Sequence, residues 1–313
     1  MCFFCKCKCP AADQAGCRTR QFLAGVNDAI ATASYTPMSS PKQSTQVPMV
    51  SSNELDELES LGASLSCVTA KGVYRSRDVL VKTFRFFGHI DDFGRHVQTY
   101  YQLRSPYLVS LLAVADVASA RPKLIFEYMD GGSLRDYVSS RKNTMPPVTI
   151  ALAVAKGLEH LHRHRVAHGR LHLHNILIAT DGRIKLAEVG LSYEAALRES
   201  LPRVARILKL TIHDPPRPPR NYWMAPKARH SKAAATAAAD IFSFGVMMIE
   251  LMWFATHGNM DFFGKAMLHV HAGTATTDLL EVPDDGYHAL ALRCVAHDPS
   301  TRPTAAEIVQ LLQ

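Results

Sequence analysis

Hydrophobic and polar positions divide the chain near residue 53. The stretch YTPMSSPKQSTQVPMVSS, residues 35–52, is rich in Ser, Thr and Pro and has no apolar period, which is typical of a linker. We therefore expect residues 1–52 to form a disordered extension, Cys-rich at its start and Ser/Thr/Pro-rich at its end. Folded structure is expected to begin near Asn53 and to continue through residues 53–313.

The first part of the folded region favours strands. Residues 55–84 suit strands separated by glycine turns and end in the β-rich run VLVKTF. The run KLIFEYM, residues 123–129, is typical of a short buried strand. Farther on, NILIA and RIKLA flank Asp181-Gly182 and predict a hairpin.

Helical spacing dominates the rest. Helices are predicted over Phe93–Leu103, in LRDYV after the turn at Gly131–Ser133, over Ile150–His162, and in the segments beyond Tyr222. The most apolar stretch, Ile241–Ala255, contains Glu250 and is too short to span a membrane, so it is interpreted as a buried core helix. Strands followed by helices predict an α+β protein with two lobes.

Composition narrows the class of protein without naming it. Of 313 residues, 47% are hydrophobic and 20% charged, which is ordinary for a soluble globular protein. The formal net charge of +7 is mild, and no Lys/Arg block is dense enough to predict a nucleic-acid partner. The N-terminus lacks the apolar run of a signal peptide, so a cytoplasmic location is expected.

Five cysteines crowd the N-terminus, at Cys2, Cys5, Cys7, Cys9 and Cys17. Their thiolates could hold a soft metal, although structural zinc sites usually draw ligands from two separated knuckles. S-acylation beside Lys6 and Lys8 is a second hypothesis, since two acyl chains would tether the protein stably to a membrane. An exposed, unmodified tail is the leading interpretation.

Several motifs occur in a fixed order along the folded region. They are KGVYRSRDVLVKTF, LRSPYLVSLL, LIFEYMDGGSL, GLEHLHRHRVAHGRLHLHNILI, IKLAEVGL, YWMAPK, DIFSFGVMMIEL and CVAHDPSTRPTAAEIVQLL. The chain resembles the protein kinase family, in particular its tyrosine-kinase-like serine/threonine branch, from about Leu55 to the C-terminus. The resemblance implies a bilobal α+β kinase fold, with an N-lobe over 53–126, a hinge over 127–132 and a C-lobe over 133–313.

Some residues that this resemblance assigns to ATP and magnesium are kept. It implies residual nucleotide-binding roles for Gly62 of the phosphate-covering loop, the strand lysine Lys82, and Glu127 and Met129 of the hinge. It implies metal-ligand roles for Asn175 and, more weakly, Glu188, which replaces the aspartate of the family's Asp-Phe-Gly motif. The extra methylene of Glu188 displaces a ligand for magnesium, which demands near-ideal octahedral geometry.

Other positions depart from the family pattern. In GASLSC, Ser64 and Cys67 replace two loop glycines, whose missing side chains admit phosphate oxygens. His96 occupies the place of the αC glutamate that orients Lys82, unless a different helix register brings Asp91 or Asp92 there. Two further substitutions, Leu80 for the alanine beside adenine and Thr69 for a β-branched apolar residue, predict a filled nucleotide pocket.

The catalytic-loop motif has lost its base. In HGRLHLHN, residues 168–175, His168 and Asn175 are kept, Gly169 replaces arginine, and Arg170 replaces the catalytic aspartate. A guanidinium has no acceptor and cannot take the proton of a substrate hydroxyl. His172 or His174 is an alternative base, although neither occupies the position of the aspartate. The density of histidines from His160 to His174 also allows a metal hypothesis, against scattered structural histidines.

The segment from Gly190 to Met224 is basic and contains the conceivable phosphosites Ser192, Tyr193, Ser200 and Thr211. Its sequence PPRPPR, at Pro215–Arg220, fits the ligand pattern of an SH3 domain, although proline-rich loops usually remain solvated. Beyond it, Lys227 replaces the family's glutamate and is predicted to leave Arg302 without its usual partner.

These substitutions converge on one site while the core motifs persist. The sequence therefore predicts a pseudokinase that regulates or scaffolds other signalling proteins, with ATP and Mg²⁺ binding weak or absent. The alternative is an active, atypical serine/threonine protein kinase that transfers the γ-phosphate of ATP to protein substrates.

Overall fold

The structure is a computed structural model, and its description covers residues 46–63, 67–84, 97–98, 100–117, 119, 121–140, 145–189, 222–226, 236–257, 263–276 and 286–313. These residues fall into two compact units. One unit holds the described residues up to Arg104 together with Ser110–Tyr128, and the other holds Ser105–Val109 with the described residues from Met129 onward. The division after Tyr128 lies inside the predicted hinge 127–132, and the α+β expectation is confirmed.

The first unit is built on a six-stranded sheet. Its strands are β1 (Met49–Val50), β2 (Leu55–Ala63), β3 (Cys67–Tyr74), β4 (Arg77–Phe84), β5 (Leu111–Ala115) and β6 (Lys123–Glu127), in the spatial order β1-β5-β6-β4-β3-β2. Neighbours pair antiparallel except β1 and β5, which are parallel. Val79 and Val81 of β4 are fully buried in a core with Ile125 of β6, whereas Leu80 and Lys82 lie on the opposite face.

Glycine does not form the turn between β3 and β4, contrary to expectation. Arg75 and Ser76 form it, both with positive φ values, 49° and 59°. Gly62 and Gly72 lie within strands β2 and β3 instead. A Cβ on Gly72 would come within 2.8 Å of the Asp56 carbonyl oxygen, so this glycine permits close approach of two strands.

The predicted domain boundary at residue 53 is too late. Val47 is 4% exposed, and β1 pairs Met49 with Val114 and Val50 with Ala115. The Val114 N–H also donates to the Pro48 carbonyl at 2.9 Å. The end of the supposed linker therefore belongs to the sheet, while residues 1–45 lie outside the described residues and their predicted disorder stays a prediction.

The second unit is mostly helical. Its helices are α1 (Leu134–Ser139), α2 (Pro147–Arg163), α3 (Ala237–His257), α4 (Phe263–Ala272), α5 (Gly286–Cys294) and α6 (Ala305–Leu312). Side-chain caps start two of them: Ser133 accepts the Asp136 N–H at α1, and Thr304 forms a capping box with Glu307 at α6. The predicted hairpin is confirmed as β7 (Ile176–Ile178) paired with β8 (Ile184–Leu186).

Helix α3 forms the centre of this unit. Phe242, Phe244 and Val246 are fully buried, and the helix as a whole is mostly enclosed. With 21 residues it is long and apolar enough to cross a membrane by length and composition, so the expectation that it is too short was wrong. Its burial confirms the interpretation as a core helix.

The helix predicted over 93–103 is seen in part. Residues 97, 98 and 100–102 are helical, and Val97, Tyr100 and Tyr101 are buried. Phe93 and His96 lie outside the described residues.

Candidate functional site

One face of the first unit's sheet carries Lys82. Pairing places Thr69 on β3 and Leu124 on β6 directly beside it, and Leu80 lies two residues earlier on the same face. Both Lys82 and Leu80 are half-buried. The strand lysine therefore sits among mainly apolar neighbours within this unit.

Leu80 lies opposite a second bulky side chain. Its partner across β4 and β6 is Phe126, which is 4% exposed and meets the Tyr100 ring edge-on, with centroids 5.5 Å apart. Sequence reasoning singled out Leu80 and missed Phe126. The signal was available, because Phe126 immediately precedes Glu127 in the run LIFEYM. Leu80, which replaces the small alanine of the family, thus lies beside the large side chain of Phe126 on one face of the sheet.

The remaining implied nucleotide residues are placed as follows. Glu127 is fixed by Ser110, whose N–H donates to Glu127 Oε1 at 2.6 Å and whose carbonyl accepts the Glu127 N–H at 3.0 Å. In the other unit, the Met129 carbonyl accepts the Gly132 N–H at 3.3 Å. Gly62 lies in β2 with open space around its Cβ position, and Cys67 is buried in β3. Ser64 lies outside the described residues.

Asp240 of α3 hydrogen-bonds the start of the catalytic-loop motif. This carboxylate is almost wholly buried and accepts three N–H donors: the backbone of His168 at 2.7 Å, that of Gly169 at 2.8 Å, and His162 Nε2 at 2.9 Å. Hydrogen bonds to a buried charged acceptor are strong, so the start of the loop is fixed to the central helix.

Gly169 adopts φ +75°, a left-handed conformation that favours glycine. Beyond it, the Arg170 N–H donates to His168 Nδ1 at 3.2 Å, and Asn175 Nδ2 donates to the Arg170 carbonyl at 2.9 Å. The loop therefore keeps a defined shape around Arg170 despite the loss of two family residues.

Arg170 makes an ion pair with Glu188. The distance from Arg170 Nη1 to Glu188 Oε2 is 3.2 Å, and the two side chains are 24% and 23% exposed. Glu188 has φ +60°, an unfavourable conformation for a non-glycine residue that costs on the order of 1–2 kcal/mol. The residue in the base position and the residue in the metal-ligand position thus hold each other.

This pair has two chemical consequences. The guanidinium can donate but cannot accept, so no proton acceptor stands at the base position. The Glu188 carboxylate already faces a cation at Oε2, so a magnesium ion at that oxygen would compete with the guanidinium. Asn175 and Glu188 are the residues that could hold a metal, and one of them, Glu188, faces Arg170 in the structure.

The alternative bases are placed unfavourably. His172 is 9% exposed and lies against the Trp223 ring with centroids 4.3 Å apart. Burial, reinforced by the nearby Arg170, lowers the pKa of His172 to about 3. A general base works best with a pKa near the operating pH, so His172 is poorly suited. His174 is exposed to solvent.

The other histidines have separate structural positions. His168 is fully buried, and burial lowers its pKa. The rings of His160 and His164 lie against each other at the end of α2, tilted by 44° with centroids 4.6 Å apart, and His162 bonds Asp240. Within the described ranges, no three His, Cys, Asp or Glu side chains form a group suited to a metal ion. The scattered-histidine interpretation fits better than the metal hypothesis.

A buried cluster beside α3 was not anticipated. Glu250 Oε1 accepts from Arg135 Nη1 at 3.0 Å and from the Tyr222 hydroxyl at 2.8 Å. Burial raises the pKa of Glu250 to about 7 and that of Tyr222 well above its usual range. His271 Nε2 meets the Tyr222 carbonyl at 2.7 Å, so Tyr222 is anchored to α3 and α4.

Arg302 has backbone partners in place of the family's glutamate, which the sequence did not predict. Its guanidinium donates to the carbonyls of Ala296 at 2.8 Å, Ala238 at 2.7 Å and His297 at 3.3 Å, and it lies over the Phe242 ring. Backbone oxygens thus supply acceptors where the family uses a glutamate. Lys227 lies outside the described residues.

Several other sequence predictions also fall outside the described residues. They concern the N-terminal cysteines, Asp91, Asp92 and His96, the phosphosite candidates, and the SH3 pattern at Pro215–Arg220. They stay predictions.

One unit is a six-stranded sheet. The other is mostly helical and contains a two-stranded hairpin and a catalytic loop of the kinase type. Two such units define the bilobal protein kinase class. A family model described as protein tyrosine and serine/threonine kinase matches residues 57–312. The chain therefore belongs to this family.

Named relatives include kinases called inactive and kinases named without that word. The chain is 30% identical over 236 residues to "Inactive tyrosine-protein kinase 7" of Mus musculus, covering 71% of this chain and 21% of that protein. It is 29% identical over 265 residues to "Serine/threonine/tyrosine-protein kinase HT1" of Arabidopsis thaliana, covering 78% of this chain and 62% of that protein. An inactive leucine-rich repeat receptor-like kinase of Arabidopsis thaliana is 26% identical over 288 residues, covering 82% of this chain and 40% of that protein. The chain thus spans between about a fifth and three fifths of the length of these relatives.

Proposed function

We propose that this protein is a pseudokinase of the tyrosine-kinase-like branch, a kinase fold that regulates or scaffolds other signalling proteins without transferring phosphate. The observation that carries the proposal is the Arg170–Glu188 ion pair at 3.2 Å. Phosphoryl transfer needs an acceptor near the substrate hydroxyl and carboxylate-bound metal at the phosphates. Arg170 replaces the proton acceptor, and it also pairs with Glu188, the carboxylate in the metal-ligand position.

The sheet unit supports the same conclusion independently. Leu80 and Phe126 lie side by side on the face that carries Lys82, where the family leaves space for adenine. Packed interiors yield little room for an added ring. ATP and Mg²⁺ binding is therefore proposed to be weak or absent, although Lys82 and Asn175 persist.

A kinase fold that is maintained without phosphate transfer is suited to binding other proteins. Asp240 and Glu250 hydrogen-bond the catalytic loop and Tyr222 to the central helix of the helical unit, and a scaffold requires such a fixed fold as much as an enzyme does. The binding of signalling partners, an SH3 contact at Pro215–Arg220, a cytoplasmic location and a membrane tether through the N-terminal cysteines are parts of this proposal.

The test is phosphate transfer from radiolabelled ATP to a generic basic protein, with separate Mg²⁺ and Mn²⁺ series. Lys82→Met serves as the matched control, because it removes the strand lysine and leaves the Arg170–Glu188 pair in place. We expect the unmodified protein and the control to give the same background. Transfer that clearly exceeds the Lys82→Met control would establish the alternative, an active atypical serine/threonine kinase.

A further inference from the structure

Residues 46–52, here called the strap, attach the end of the N-terminal extension to the edge of the sheet. The attachment is small, because β1 has only two residues. Val47, which precedes β1, is buried, whereas Met49 is 48% exposed. One backbone bond, from the Val114 N–H to the Pro48 carbonyl, reinforces the parallel pairing with β5. Short edge elements with few buried contacts open locally more readily than the core.

A side-chain bond closes the strap at its C-terminal end. Ser52 Oγ donates to Asp116 Oδ2, and Asp116 follows directly after β5 with φ +52°. Lys123 Nζ lies 3.9 Å from the same carboxylate oxygen. Ser51, the neighbouring residue, is occupied as the cap of the short helix Ser52–Glu54. The hydroxyl of Ser52 is thus the group that ties the strap to the far end of β5.

We propose that Ser52 is a phosphorylation site, and that its modification by a separate ATP-dependent protein kinase releases the strap from β5. The Ser52 oxygen bonds to the γ-phosphorus of ATP, the bond between that phosphorus and the bridging oxygen breaks, ADP leaves, and the modifying kinase takes the hydroxyl proton. This proposal does not rest on the pseudokinase assignment.

The charge balance explains the release. The phosphate removes the donated hydrogen and brings about −1.5 to −2 charges next to the Asp116 carboxylate. Two anionic groups then compete for Lys123, and the attraction at this point becomes repulsion. Acidic residues follow Ser52 closely, at Glu54, Asp56, Glu57 and Glu59, so the modifying kinase is one with a basic substrate cleft.

The experiment measures hydrogen exchange of the Val114 amide in the full chain, with Val81 of β4 as an internal control for global unfolding. Ser52→Glu and site-specifically incorporated phosphoserine should accelerate Val114 exchange by roughly tenfold or more, without change at Val81. Ser52→Ala, which loses the bond but adds no charge, should accelerate it by less than about threefold. Ser52→Glu combined with Asp116→Asn should return to the Ser52→Ala rate.

Three results would overturn the proposal. Equal Val114 exchange in Ser52→Glu and Ser52→Ala would show that charge at this position does not release the strap. If Val114 exchanges as fast in Ser52→Glu combined with Asp116→Asn as in Ser52→Glu alone, Asp116 is not the opposing group. The same conclusion holds if Ser52→Glu unfolds the whole domain and Asp116→Asn does not reverse the unfolding. Ser52 unphosphorylated in protein isolated from its native cells under every growth condition tested would exclude its use as a modification site.

Discussion

Breaking the Arg170–Glu188 pair should destabilise the fold through a measurable coupling between the two side chains. The perturbation is Arg170→Met, which removes the charged end of the side chain but keeps an unbranched apolar stem, Glu188→Gln, which keeps side-chain shape while removing charge, and the double variant. Both residues have further contacts, so single-variant losses mix several interactions. The double-mutant cycle isolates the term that belongs to the pair.

The geometry sets the magnitude. Hydrogen bonds to charged groups contribute about 1.5–3 kcal/mol, and the partial exposure of 24% and 23% reduces this by solvent screening. We expect a coupling energy of about 1–2 kcal/mol. If Arg170→Met alone costs about 2 kcal/mol, the melting temperature of a domain of this size falls by about 4–8 °C.

The assay is urea denaturation of all four proteins, followed by circular dichroism. The Glu159–Arg163 pair on α2 is the matched control: its 2.6 Å bond is shorter, but Arg163 is 72% exposed. Exposed pairs at this spacing couple by about 0.3–0.5 kcal/mol. A coupling for Arg170–Glu188 no larger than that of the control would refute the idea that this pair organises the site.

Further predictions follow from burial, charge and pocket filling. The pKa of His172 is about 3 in the folded state and about 6.5 in the unfolded state, so protonation favours the unfolded state. The contribution of His172 to the free energy of unfolding should therefore fall by about 1.4 kcal/mol per pH unit as pH drops from 6.5 to 5. The pKa of Glu250 is raised to about 7, so this residue stabilises the folded state as pH drops from 7 to 4.5, opposite to His172. In urea titrations at several pH values, Glu250→Gln should therefore make stability fall more steeply with decreasing pH, and His172→Gln should make it fall less steeply. Unchanged pH dependence in the two variants would contradict both assignments. Arg302→Met should cost about 2–4 kcal/mol, because three carbonyls lose their donor, and a loss under 1 kcal/mol would mean that water replaces it. Millimolar Mg-ATP should leave the melting temperature unchanged, and a clear rise would show that the Leu80 and Phe126 face admits adenine.

Much of the fold was predictable because it depends on local pattern. The alternation in VLVKTF fixed which face of β4 is buried, and the turn residues Asp181-Gly182 marked the hairpin of β7 and β8. The strand β1 was missed because PMV is too short to show a period and begins with a proline. Its pairing with β5 joins residues 65 positions apart, which no local signal contains.

The chemistry of the site was predictable residue by residue, but its contacts were not. That Arg170 cannot act as a base follows from the residue type alone. That it pairs with Glu188 depends on side-chain directions and on a left-handed backbone at Glu188, neither of which a one-dimensional pattern specifies. For the same reason, the backbone carbonyls that accept from Arg302 were not predicted, since they carry no residue signature.

The most direct test of the central claim is an attempt to repair the enzyme. Radiolabelled phosphate transfer to a basic protein would be compared for the unmodified chain, for Arg170→Asp, and for a combined set. The combined set is Leu80→Ala, His96→Glu, Gly169→Arg, Arg170→Asp, Glu188→Asp and Val189→Phe. The last change restores the phenylalanine of the family's Asp-Phe-Gly motif, whose place Val189 takes in this sequence. Gly169→Arg carries a conformational cost, because position 169 has φ +75°.

A returned base alone is worth about 10²–10⁴ in rate only when metal and nucleotide are already in place, and groups that act as a unit are strongly non-additive. We therefore predict background transfer from the unmodified chain and from Arg170→Asp, and turnover only in the combined set. Robust transfer by the unmodified chain or by the single Arg170→Asp variant would contradict the pseudokinase account.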